Sequence, residues 1–81
     1  MAKLTPGERV AHWRRLRGIK QIDLANAIGT TPSTLSRIES GDIGLSVKAA
    51  ERIARALRTS VAEFFVELDL GGNEDNGEWQ W

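Results

Sequence analysis

Cysteine is absent from the 81 residues, so neither a disulfide framework nor a thiolate metal site can hold this chain together. The single histidine, His12, cannot build a zinc site alone. Long apolar runs are missing too. Nothing approaches the roughly 20 consecutive apolar residues that cross a bilayer, and Met1-Ala2-Lys3-Leu4 carries no apolar signal region. A cytoplasmic protein with no membrane partner is therefore expected. Catalytic spacing is equally scarce. Asp23, Glu39, Asp42 and His12 show no nucleophile–base spacing, no phosphate loop accompanies them, and they form no metal-ligand cluster. A chain this short buries only about 60% of its unfolded surface, which leaves little room for an internal active site. The expectation is a protein that is not an enzyme and takes no cofactor or metal.

Net charge is lacking as well, since 11 Lys and Arg balance 11 Asp and Glu. That balance hides an asymmetry. Residues 1–66 hold all 11 basic residues against six acids (Glu8, Asp23, Glu39, Asp42, Glu51 and Glu63), a surplus of five positive charges. The other five acids, Glu67, Asp69, Glu74, Asp75 and Glu78, sit beyond them. A basic body with an acidic appendage is the pattern of a nucleic-acid module carrying a tail. The hydrophobic share of 41% and charged share of 27% are ordinary for a soluble globular domain.

What is present reads as a series of short helices. Thr5-Pro6-Gly7-Glu8 offers a capping hydroxyl, a proline at the first helical position and an acid at the third. The helix they open places Val10, Trp13 and Arg14 on one face and ends before Gly18. Gln21 to Ile28 form a second helix with Leu24, Ala25 and Ile28 inward, stopped by Gly29 and poorly capped by Lys20. Thr31 then caps a third helix from Pro32 to about Ser40, with Leu35 and Ile38 inward. Ser46 caps a fourth, whose stripe is Val47, Ala50, Ile53, Ala54 and Leu57 while Arg52, Arg55 and Arg58 face outward. Ser60-Val61-Ala62-Glu63 reads as a second capping box, opening a fifth helix through Phe64, Phe65 and Leu68. The fold expected is all-α, with one five-helix domain over residues 1–70. Residues 71–81, rich in glycine, asparagine and acid, are expected to form a flexible tail.

The informative stretch is Gln21 to Gly41. Two helices too short to stand alone are stable only by crossing on a shared core, which leaves one face of the second exposed. The run Gln21-Ile22-Asp23-Leu24-Ala25-Asn26-Ala27-Ile28-Gly29-Thr30-Thr31-Pro32-Ser33-Thr34-Leu35-Ser36-Arg37-Ile38-Glu39-Ser40-Gly41 resembles the lambda-repressor/Cro (Xre-type) helix-turn-helix family. The resemblance rests on the opening glutamine, the Leu-Ala pair, the glycine in the turn and the Ile-Glu-x-Gly ending. It extends from Gly7 to Phe65. It implies a transcriptional regulator whose third helix enters the major groove of an operator.

By that resemblance Gln21 bonds a DNA phosphate, and Thr31 caps the third helix while touching the DNA backbone. Helical geometry turns Ser33, Thr34, Ser36 and Arg37 outward as reading residues. Arg37 can meet a guanine edge as a bidentate pair or clamp a phosphate. Pro32 departs from the family pattern, offering no donor and at most an apolar touch on a thymine methyl. Arg14 and Glu39 match a partly buried structural ion pair. Ser46 and Lys48, at the start of the fourth helix, suit a phosphate because free amides and the dipole point outward there. Asp42 disfavours further phosphate contacts, and Arg14, Arg15, Arg17 and Lys20 either compensate or form a solvated face. Arg58 stands where a glycine is common, so the fourth helix is expected to stop differently.

Trp13 and the Phe64/Phe65 pair are assigned to the core, part of that pair being surplus to it, and His12 to solvent. Phe65, Val66 and Leu68, with Leu70, exceed what a minimal core needs and suggest an interface, which in this family is a second copy placing two recognition helices about 34 Å apart. A homodimeric regulator on double-stranded operator DNA is the leading expectation, whether phage-type repressor, restriction–modification controller or antitoxin-like autoregulator. The alternative is a protein-interaction adaptor whose partner is met by the helical domain and the acidic Trp79-Gln80-Trp81 tail.

Overall fold

The computed structural model describes residues 4–65. They form four α-helices: α1 (Pro6–Leu16), α2 (Gln21–Ile28), α3 (Pro32–Ser40) and α4 (Val47–Leu57), followed by a single 3-10 turn over Val61–Phe64. No strand occurs among the described residues. The continuation of a fifth helix through Val66 and Leu68, and the acidic tail, lie outside the described residues.

Three of the four α-helix starts are set by a local hydroxyl. The Glu8 amide donates to Thr5 Oγ1 at 3.1 Å while the Thr5 amide donates to Glu8 Oε1 at 2.8 Å, a complete capping box. Thr31 Oγ1 accepts from the Thr34 amide and Ser46 Oγ from the Ala49 amide, both at 3.1 Å. Lys20, which has no acceptor to offer, leaves α2 without a side-chain cap. The 3-10 turn corrects one expectation. Ser60 makes no side-chain cap, because its backbone oxygen already takes the Glu63 amide at 3.1 Å in the tighter three-residue pattern.

α1 packs on α3 and α4, and α2 packs on both α3 and α4. The 3-10 turn closes the far side between α1 and α4. Between them lies one core of Val10, Leu24, Ala25, Ile28, Leu35, Ala50, Ile53, Ala54, Leu57 and Phe64. Phe64 is fully buried, whereas Trp13 and Phe65 are half-buried and pack against the core from its edge. Val47 is the second correction: it lies at the edge of the stripe in the first turn of α4 and is 64% exposed.

α4 does end in a left-handed residue despite having arginine there. Arg58 has φ 58° and ψ 50°, a conformation that costs a side-chain-bearing residue about 1–2 kcal/mol. Arg17 reaches across from the end of α1 to brace this turn. Its Nε donates to the Leu57 carbonyl at 2.7 Å and its Nη2 to the Arg58 carbonyl at 3.0 Å. The same guanidinium lies 5.0 Å above the Trp13 ring. Arg17 is therefore committed to carbonyls at the negative end of a helix, not to a cluster awaiting phosphate.

Candidate nucleic-acid interface

The turn between α2 and α3 decides how α3 is presented. Gly29 takes φ 77° and ψ 34°, and the Thr30 amide reaches back to the Ala25 carbonyl at 2.9 Å. This left-handed closure, which glycine adopts without penalty, delivers Thr31 directly into its capping role. Two residues separate α2 from the cap of α3, so the helices are held in fixed relation by a very short connection.

With about 100° of rotation per residue, α3 divides cleanly. Leu35, Ile38 and Glu39 are buried, and Pro32, Ser33, Ser36, Arg37 and Ser40 are exposed. Thr34 is half-buried at one edge of the exposed arc, where its hydroxyl accepts from Thr31 Oγ1 at 3.0 Å. Ser33 and Arg37 stand near the arc's centre. On the Thr34 side, a groove also lined by Gly29, Thr30, Ser46, Lys48 and Arg52 runs to the start of α4. On the Ser36 side, a second groove is shared with Gln21, Glu39, His12 and Arg15. The reading arc thus lies between two grooves, one with Lys48 and Arg52 in its lining and the other with Arg15 and His12 beside the acids Glu8 and Glu39.

One buried acid holds the arc in place. Glu39, 7% exposed, accepts from Arg14 Nε at 2.8 Å, from Arg14 Nη2 at 3.2 Å and from Gln21 Nε2 at 2.9 Å. Arg14 spends its remaining terminal nitrogen on the Ile19 carbonyl at 3.0 Å. A carboxylate this buried would be costly alone and is tolerated because both oxygens are paired. The network ties α1, the start of α2 and the end of α3 together. Gln21 is accordingly half-buried and directed at Glu39.

Most of the residues singled out from sequence converge here: Gln21, Thr31, Pro32, Ser33, Thr34, Ser36, Arg37, Ser46 and Lys48 all lie on this side of the domain. Phe65 does not join them; it packs on the core beyond α4. Val66 and Leu68 lie outside the described residues. Two residues named from sequence take places in this interface that the sequence did not give. Arg52 lines the groove beside Lys48, a position that four-residue spacing along α4 announces once Lys48 is suspected. Asp42 lies 3.7 Å from Arg37 Nε through its Oδ2, which no helical periodicity reveals because Asp42 follows the helix end. Among the described residues no helix is long and apolar enough to cross a membrane, and no group of acids or histidines could hold a metal ion.

A short helix, a tight glycine turn and a second helix whose polar face is left open define a helix-turn-helix domain. The comparisons agree. Residues 10–64 match the helix-turn-helix family, and the chain belongs to its Xre-type, lambda-repressor-like branch. It is 33% identical over 76 residues to the Competence pilus inhibition repressor of Acinetobacter baylyi, covering 91% of this chain and 69% of that protein. It is 30% identical over 64 residues to the HTH-type transcriptional regulator PuuR of Escherichia coli, covering 79% of this chain but only 35% of the relative. Among solved structures, the clp gene regulator ClgR of Corynebacterium glutamicum superposes with a TM-score of 0.74 at 27% identity, covering 82% of this chain and 70% of that one.

Proposed function

We propose that this protein is a sequence-specific DNA-binding transcriptional regulator, acting as a repressor or autoregulator in the cytoplasm. The observation that carries this reading is the exposed polar arc of α3, with Ser33, Ser36 and Arg37 outward between two grooves carrying basic side chains. In a major groove the arc would meet base edges, with Thr34 at its margin and Pro32 contributing an apolar touch. Thr31, Ser46 and Lys48 at the starts of α3 and α4, and Gln21 at the start of α2, would engage the two backbones, because helix starts present free amides and a positive dipole end to phosphate. Arg14 and Glu39 would serve structure only.

The operator is a palindrome bound by a homodimer, whose interface includes Phe65, Val66 and Leu68. The acidic tail, carrying charge of the same sign as DNA, acts against nonspecific adhesion. Two properties of the relatives support the reading: one is named a repressor and another a transcriptional regulator.

The test is selection of bound duplexes from genomic fragments, followed by titration against salt. Enrichment of discrete fragments, with affinity falling steeply as salt rises, is the expected result. Arg37→Ala should then lose about 1–3 kcal/mol of discrimination at one base pair per half-site, while Gln21→Ala weakens all duplexes alike. Binding that is equally weak for every fragment would overturn the regulator reading.

A further inference from the structure

The ion pair between Arg37 and Asp42 is of the exposed kind that contributes little to folding. Both side chains are largely exposed, at 61% and 68%, and their closest approach is 3.7 Å. Local helix energetics gives no reason for an acid here either, since Asp42 follows the negative end of α3, where an anion is unfavourable. Yet the backbone brings it back to Arg37 by a defined route. The Arg37 carbonyl accepts from Ser40 Oγ at 3.1 Å and from the Ile43 amide at 3.3 Å. Between these, Gly41 turns the chain with φ 88°. A loop closed on the carbonyl of Arg37 therefore sets the carboxylate of Asp42 beside that residue's own side chain.

Resting on the regulator reading above, we propose that Asp42 is a positioning residue for Arg37 and thereby sets sequence specificity. Its carboxylate lies nearest Nε, at 3.7 Å an ion-pair contact longer than a hydrogen bond, which leaves the paired terminal nitrogens as the donor edge of the guanidinium. That edge is the fork able to meet the two acceptors of a guanine. The long side chain of an unanchored arginine would sample many conformers, and docking would have to freeze one. It would also be free to swing onto a phosphate, a contact with no sequence information. Asp42 opposes this twice over, by attracting the guanidinium to its own side and by repelling phosphate oxygens from its vicinity. The acid trades affinity for any duplex against discrimination for one.

The experiment uses the full chain and a duplex enriched by the wild-type protein from a random-sequence pool. Dissociation constants are measured for wild type, Asp42→Asn, Arg37→Ala and the double variant. The probes are that duplex, its single base-pair substitutions and a scrambled duplex of equal composition. Arg37→Ala first identifies the base pair that Arg37 reads. Asp42→Asn should then lose about twofold to fivefold of discrimination, the scale of an exposed ion pair, at that base pair and at no other. It should bind the scrambled duplex more tightly, and in the Arg37→Ala background it should cost no further discrimination. Thermal melts of Asp42→Asn and Asp42→Ser, both at an exposed site, verify that the fold is intact.

If Asp42→Asn strengthens binding to every duplex by one factor and leaves the ratios unchanged, the acid is merely a repulsive charge and the proposal is wrong. If Arg37→Ala reveals no base pair, the proposal fails while the regulator reading stands. If the wild-type protein enriches nothing from the pool, the regulator reading itself fails, and this one with it, before any variant is compared.

Discussion

Gly7 sits in the first turn of α1, where helix propensity alone says that alanine should be better by up to about 1 kcal/mol. The structure reverses that sign. A Cβ built on Gly7 would lie 1.8 Å from the carbonyl oxygen of Ile38 and 2.8 Å from its carbon, both backbone atoms of α3, against a practical limit of 3.0 Å. No rotamer can relieve a clash with backbone. The helices would have to part by roughly 1.2 Å at their crossing, losing dispersion contacts along the seam. Overpacking of this kind costs about 1–3 kcal/mol and at times more, so Gly7→Ala should lose about 2 kcal/mol net of the propensity gain. In a domain of this size that is a fall of about 8–16 °C in melting temperature.

The displaced element is the one carrying Ser33, Ser36 and Arg37, so affinity for the preferred duplex should drop with stability. Gly44 supplies the control, because a Cβ there meets nothing within 4 Å, and Gly44→Ala should be neutral or stabilising by about 0.4–1 kcal/mol. Thermal melts by circular dichroism on the two variants decide the matter. A Gly7→Ala protein that melts at or above wild type would refute the claim that α1 and α3 meet backbone to backbone.

Further predictions concern the braces around α3 and α4. Arg58→Gly should raise stability by about 1 kcal/mol by removing the left-handed strain at φ 58°, seen as a melting temperature higher by several degrees; an unchanged or lower value would sink this account. Arg17→Ala should lower stability by about 1 kcal/mol through its two bonds to the end of α4, and the loss should persist in the Arg58→Gly background because the acceptors are backbone. Glu39→Ala strands the Arg14 guanidinium, whose side chain is only 12% exposed, and should cost about 3 kcal/mol by denaturant titration. A cost below about 1 kcal/mol would mean that water replaces the carboxylate freely.

What the sequence disclosed and what it withheld divide along sequence separation. Thr5, Thr31 and Ser46 could be read as caps because a capping hydroxyl serves an amide three residues away, and the stripes of α2 and α3 repeat at local spacing. Ser60 failed by the same local logic, since a 3-10 turn uses the backbone oxygen where an α-helix would use the hydroxyl. Arg14 was legible in part. Its place on the inward face of α1 beside Val10 and Trp13 demands an acid, but only the family resemblance pointed to Glu39, 25 residues on. Arg58 shows the limit most plainly. An arginine in a glycine's position suggests that the helix ends otherwise, yet α4 keeps the glycine geometry because Arg17, 40 residues earlier than the carbonyl it binds, braces the turn.

The same separation of ranges explains why α3 can afford a face without structural duty. Its position is fixed from behind, by the backbone contact at Gly7 and the Arg14–Glu39–Gln21 network, and its start is fixed by Thr31. Within the open arc Thr34 contributes to that scaffold through its bonds to Thr31, and Ser40 through its bond to the Arg37 carbonyl. Ser33, Ser36 and the guanidinium of Arg37 hold nothing within the core, so their identities are free to follow a ligand instead of the fold. That freedom is also why hydrophobic periodicity could mark the arc as exposed but could not say what reads it. The answer lies in the polar groups at its two flanks, and in the Asp42 carboxylate that the loop after α3 returns to Arg37.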